Sequence, residues 1–118
     1  VKKLDLADVY LVGDATDAVG IYEDIVRETD GKLADLVINC VSRPNTEMSS
    51  ILATKDNGTV YFFSMATSFT KAALGAEGVG KDVNMIIGNG YTKHHAEISL
   101  QIMRESKELR ELYSELYA

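Results

Sequence analysis

The chain has one cysteine, one proline and no tryptophan in 118 residues. With Cys40 alone there is no internal disulfide, and the natural expectation is a reducing cytoplasm. No apolar run approaches the roughly 20 residues that a membrane-spanning helix needs. The lysines of Val1-Lys2-Lys3-Leu4-Asp5 are followed by no apolar core, so the start does not read as a signal peptide. Positive charge is scarce: 12 Lys and Arg stand against 18 Asp and Glu, a formal net charge of -6. That sign argues against a nucleic-acid partner, which needs a basic face, and against an anionic membrane surface. What is present is ordinary for a globular domain with a single core, 46% hydrophobic and 25% charged residues. The chain opens on Val and enters structured-looking sequence at once, so it reads as part of a longer protein.

Alternating strand and helix signals follow. Val9-Tyr10-Leu11-Val12 is a short apolar run stopped by Gly13-Asp14. Ala18, Ile21, Tyr22, Ile25 and Val26 recur at helical spacing, with Thr16 or Asp17 placed to cap the start and Asp30-Gly31 the end. Leu36-Val37-Ile38-Asn39-Cys40-Val41 is apolar without clean alternation, as for a parallel strand covered on both faces. Cys40 is then expected as a small core residue. Pro44-Asn45-Thr46 opens a second helix with Met48, Ile51 and Leu52 inward, and Asn57-Gly58 ends it. Val60-Tyr61-Phe62-Phe63 is the next strand. Ser64 to Asp82 reads as irregular, and Val83-Asn84-Met85-Ile86-Ile87 is the last strand, stopped by Gly88-Asn89-Gly90. From Thr92 to Ala118 a stripe of Ile98, Ile102, Leu109, Leu112, Tyr113 and Leu116 predicts one long helix. The order implies an α/β fold with a mainly parallel sheet and flanking helices.

In such a sheet the ligand sits beyond the carboxyl ends of the strands. The residues to inspect are Gly13 to Thr16, Asn39 to Arg43, Phe63 to Ala66 and Ile86 to Asn89. Other features are less telling. Gly75-Ala76-Glu77-Gly78-Val79-Gly80 has the wrong spacing for a dinucleotide-binding turn and suits a connector or subunit contact. His94 and His95 are adjacent, so on a helix they point about 100° apart and cannot share a metal as an i, i+4 pair would. No cluster has metal-ligand spacing, so no metal is expected. Asp14 and Asp17 around Thr16 suit helix capping better than acid–base chemistry.

Three segments carry a resemblance: Leu6-Ala7-Asp8-Val9-Tyr10-Leu11-Val12, then Ala34-Asp35-Leu36-Val37-Ile38-Asn39-Cys40-Val41-Ser42, then Asp56-Asn57-Gly58-Thr59-Val60-Tyr61-Phe62-Phe63-Ser64-Met65. In order and spacing they resemble the second half of the nucleotide domain of medium-chain dehydrogenases. A closer likeness lies in Lys81-Asp82-Val83-Asn84-Met85-Ile86-Ile87-Gly88-Asn89-Gly90-Tyr91-Thr92-Lys93, continuing through His95-Ala96-Glu97-Ile98. This stretch resembles the C-terminal end of the diaminohexanoate dehydrogenases. That family oxidatively deaminates 3,5-diaminohexanoate to 5-amino-3-oxohexanoate in lysine fermentation, releasing ammonia and passing hydride to NAD.

The resemblance implies a Rossmann-like fold in which residues 1–118 form the C-terminal part of a nucleotide-binding domain plus a terminal helix. The Gly-x-Gly-x-x-Gly turn, its ribose-binding acid and the catalytic domain are then expected upstream, and no catalytic residue can be assigned here. Cys40, Val41 and Ser42 are implied near the adenosine ribose and adenine. Phe63, Ser64 and Met65 are implied near the nicotinamide carboxamide, to which Met85, Ile86 and Ile87 offer backbone groups. Two positions depart from the superfamily pattern. Phe63-Ser64-Met65 stands where a Gly is usual, and Asn39-Cys40-Val41-Ser42 replaces Asp-x-x-Gly, adding bulk along the cofactor path. A homodimer is implied, with Ser68 to Gly80 as a candidate contact. Two alternatives stay open: another medium-chain NAD(P)-dependent dehydrogenase or quinone reductase, and a non-enzymatic ligand-sensing or contact module.

Overall fold

A computed structural model describes residues 4–88 and 91–117. The chain divides into two compact units, Leu11–Asn89 and a second joining Val1–Tyr10 to Gly90–Ala118. The larger unit alternates helix and strand: α1 Ala18–Glu28, β1 Ala34–Asn39, α2 Glu47–Ala53, β2 Thr54–Phe62, α3 Phe69–Val79 and β3 Asn84–Ile87. Asp17 caps α1, its carboxylate accepting from the Gly20 amide at 3.1 Å. This satisfies a donor that every helix start leaves without an internal partner. At the other end Asp30 and Gly31 take φ of 53° and 81°. The Gly31 amide donates to the Val26 carbonyl at 2.9 Å. Asp30, rather than Gly31, therefore fills the left-handed position just past the helix.

The strands form a parallel sheet in the order β1-β2-β3. Asn39 is level with Phe62, and Phe62 with Ile87, so the carboxyl ends line up. Alternate residues of each strand point to one face. On that face Val60 and Phe62 are buried with Ile51 of α2 and Ala72 and Ala76 of α3, and Met48 and Val83 pack against them. Each large side chain so buried contributes about 1.5–3 kcal/mol. The helices approach closely because α3 presents small residues there: a Cβ at Gly75 would overlap Met48 Sδ.

Several expectations need correction. Val9–Val12 joins no ladder among the described residues, and Val12 is fully exposed. A strand exists only through its pairing, which a run of sequence does not supply. The β1 run is covered on one face only, since Leu36 and Ile38 are 56% and 58% exposed. Cys40 lies just past β1 and is exposed, not a core residue. Helix α2 stops at Ala53 and leads directly into β2, earlier than Asn57-Gly58. The reason is tertiary: the Lys81 ammonium donates to the Leu52 carbonyl at 3.1 Å and to that of Thr54, capping the helix end. The stretch read as irregular contains α3, capped by Ser68 Oγ on the Lys71 amide and stopped by Gly80 at φ 66°. Its glycines weaken the helical signal, and packing on α2 overrides it.

In the second unit the expected C-terminal helical run is present, with one interruption. It comprises α4 His95–Glu105 and α5 Lys107–Tyr117, separated at Ser106, whose backbone is extended. Ser106 Oγ accepts from the Leu109 amide at 3.1 Å and so starts α5. Arg110 donates to the carbonyls of Met103 and Arg104, each at 2.7 Å, and so finishes α4. Of the apolar stripe, Leu109 and Leu112 are half-buried while Ile98, Ile102, Tyr113 and Leu116 are exposed. Among the described residues no helix is long and apolar enough to cross a membrane. The larger unit is thus a Rossmann-like half-domain, an open three-stranded parallel sheet with flanking helices.

Candidate functional site

The level strand ends bring two loops to one rim of the sheet, residues 40–46 after β1 and 63–68 after β2, with Gly88 following β3. Asn39 joins the two loops. Its carbonyl accepts from the amides of Phe63 and Ser64 at 3.0 and 3.2 Å. Its buried side-chain amide donates to Thr46 Oγ1 and Ser50 Oγ, both at 2.9 Å, while Oδ1 accepts from the Val41 amide at 3.0 Å. With its side-chain oxygen and nitrogen both bonded, the buried amide avoids the cost of an unpaired polar group. Thr46 precedes α2 but makes no side-chain cap, because its hydroxyl is turned to Asn39.

The second loop has its own internal bonds. Ser64 Oγ accepts from the Ala66 amide at 3.1 Å, and the Ser64 carbonyl from the Thr67 amide at 3.2 Å. The turn exposes Phe63 and Met65 and half-buries Ser64. Of the expected cofactor residues, Cys40, Val41, Ser42, Phe63, Ser64 and Met65 therefore share this rim. Met85, Ile86 and Ile87 lie in β3, next to β2, and are 36%, 49% and 42% exposed. Tyr61 reaches beneath the end of β3: a Cβ on Gly88 would lie 2.6 Å from its hydroxyl.

Among the described residues, two cavities flank the sheet. One, of about 370 Å³, runs along β1 between α1 and α2 and is lined by Ile21, Ile25, Leu36, Ile38, Val41 and neighbours. Among the expected cofactor residues, Val41 lines it. The other, of about 210 Å³, lies between α3 and β3 and takes in Phe69, Met85 and Ile87.

Ionisable groups at the rim are few. Asp14, held below its ordinary value by the hydrogen bond from the Thr16 hydroxyl, then by the Thr16 amide, also feels Arg43. Its Oδ1 accepts from both Thr16 donors, at 2.7 and 2.9 Å, so a local turn rather than a paired-acid site uses it. No group of His, Cys, Asp and Glu among the described residues could hold a metal. The glycines at 75, 78 and 80 lie in and after α3, not in a phosphate-binding turn. In the other unit, His95 stacks on Tyr91 with centroids 4.6 Å apart, and His94 takes a left-handed conformation before α4.

The sequence reading places Asn39 at this rim, by its position at the end of β1, but misses Glu47. Glu47 is 2% exposed, and nothing in Thr46-Glu47-Met48 distinguishes it from a solvated first-turn acid.

The rim is polar and small at its centre, offers backbone groups at three strand ends and has apolar walls. Such a place suits a ligand read by main-chain groups. No family model matches the chain. It is 56% identical over 115 residues to the L-erythro-3,5-diaminohexanoate dehydrogenase of Acetoanaerobium sticklandii, covering 98% of this chain and 33% of that protein. It is 55% identical over 107 residues to the enzyme of the same name from Fusobacterium nucleatum subsp. nucleatum, covering 91% of this chain and 31% of that protein. The chain thus spans about a third of the length of the curated relatives it matches. Along almost its whole length, then, the chain is similar to the C-terminal part of proteins named L-erythro-3,5-diaminohexanoate dehydrogenase.

Proposed function

We propose that this chain forms the nicotinamide end of the cofactor site in an NAD-dependent dehydrogenase. The reaction is oxidative deamination of L-erythro-3,5-diaminohexanoate to 5-amino-3-oxohexanoate with release of ammonia, as in lysine fermentation. The observation that carries this reading is the 56% identity over 98% of the chain to a dehydrogenase of that name. The balance is one substrate amine in its protonated form, NAD⁺ and water giving ketone, ammonium, NADH and a proton. A nicotinamide held here would supply the hydride acceptor for the amine-bearing carbon.

The residues present fit that group. Its carboxamide needs one acceptor and one donor. Among the described residues β3 pairs with β2 alone, which leaves backbone groups of Met85, Ile86 and Ile87 on the outer side to read it. Phe63, Ser64 and Met65 form the facing wall, and the apolar side chains of Phe63 and Met65 keep water from the reacting carbon. Cys40, Val41 and Ser42 line the adenosine side. Proton transfers call for an acid or base, and the described residues at the rim offer no paired group for it. In this reading that group, the glycine-rich turn and the substrate pocket come from the rest of a protein of the relatives' length. The whole works in the cytoplasm as a homodimer with Ser68 to Gly80 at the contact.

The test is the full-length enzyme assayed for NADH formation with 3,5-diaminohexanoate, with NADP in parallel. Reduction of NAD with release of equimolar ammonia supports the reading. Binding of neither dinucleotide refutes it.

A further inference from the structure

Glu47 is 2% exposed in the first turn of α2. Its Oε1 accepts from the Ser68 amide at 3.3 Å. Its Oε2 is buried without a partner among the described residues, as is Thr67 Oγ1 beside the same contact. One amide is meagre compensation for a buried carboxylate, so the fold retains a residue that an apolar side chain of similar size could replace with profit.

The gain lies in what the contact holds. Ser68 is the N-cap of α3, and its amide lies outside the helix's own bonding. The helix start favours a negative charge there. Glu47 thereby fixes the far end of the loop that begins at Phe63, and Asn39 fixes the near end by accepting from Phe63 and Ser64. Lys71 adds a parallel tie, its ammonium donating to Asn45 Oδ1 at 2.5 Å. The loop is braced at both ends, by the last residue of β1 and the first of α2.

We propose that Glu47 is a positioning residue that sets the Phe63–Ser68 loop for the nicotinamide end of the cofactor. The inference rests on the proposed function, in which that loop forms one wall of the carboxamide site. A site of this kind is accurate only when the groups behind it lock its geometry. Glu47 acts through the Ser68 amide and touches neither substrate nor cofactor.

The experiment uses the full-length enzyme as Glu47→Ala, Glu47→Asp and Glu47→Gln. NADH binding is followed by fluorescence titration, the KM values for NAD and the amino acid by steady-state kinetics, and folding by thermal melts. Glu47→Ala should weaken NADH binding and raise the NAD KM about ten-fold, the scale of one charge-assisted hydrogen bond, with the amino-acid KM unmoved. Glu47→Asp keeps the charge but withdraws it by a methylene, and should behave like Glu47→Ala. Glu47→Gln keeps an acceptor for the Ser68 amide and should recover to within about three-fold of the parent. Should Glu47→Ala not fold, the contrast between Asp and Gln decides. Folded variants with unchanged NADH affinity overturn the inference, as does a parallel fall in every constant that tracks melting temperature. A parent enzyme that binds no NADH overturns the functional reading instead.

Discussion

The side-chain amide of Asn39 donates to the hydroxyl of Thr46 at 2.9 Å, tying the last residue of β1 to the residue that precedes α2. The same amide reaches Ser50 Oγ one helical turn further on. Asn39→Ala leaves the Val41 amide and two hydroxyls without their partner. We expect a loss of roughly 2 kcal/mol in chemical denaturation, the scale of a buried polar group left unpaired. Unchanged stability would mean that the three groups re-pair locally.

Gly75 and Met48 make a second contact that depends on size. Gly75→Val places a branched side chain where even a Cβ overlaps Met48 Sδ. Overpacking should cost about 1–3 kcal/mol by thermal or denaturant unfolding. Combining it with Met48→Ala should recover part of the loss in a double-mutant cycle, because the two sites share one space. Additive effects would refute direct contact.

The break between α4 and α5 rests on Ser106 and Arg110. Ser106→Ala removes the oxygen that accepts from the Leu109 amide, and a lost cap of this kind costs about 1 kcal/mol. Arg110→Met strips donors from the Met103 and Arg104 carbonyls. Both variants should lower helical circular dichroism on warming before the sheet-bearing unit melts. A single coincident transition, unshifted from the parent, would contradict this.

Asp14 supplies a pH prediction. The Thr16 hydroxyl, then its amide, holds the Asp14 carboxyl below the ordinary aspartate range in the folded chain. Its contribution is therefore present above the unfolded value and is lost as pH falls through the depressed folded value. Carboxyl NMR titration should show Asp14 titrating low and returning upward in Thr16→Val. Full exposure keeps its effect on global stability small. An unshifted Asp14 resonance in Thr16→Val would discard the assignment.

Much of the architecture is local and was readable. The Asp17 cap, the periodicity of α1 and the apolar runs around Val37, Val60 and Ile86 follow from spacing and capping chemistry, which short segments carry by themselves. Strand-helix alternation then dictates parallel pairing, and with it the rim where Cys40, Ser64 and Ile87 converge. The likeness in Lys81–Lys93 was also sequence information, and the 56% identity to a curated relative agrees with it. What tertiary structure decided is where local signals conflict or fall silent. Helix α3 forms despite its glycines because α2 offers a surface that only small residues can approach. Lys81 ends α2 by reaching back from beyond α3, a long-range bond with no local signature. Val9–Val12 has strand composition but joins no ladder, since pairing belongs to two segments at once. Glu47 is buried because the Ser68 amide and the packing of two loops surround it, and a first-turn acid in solvent would have the same sequence.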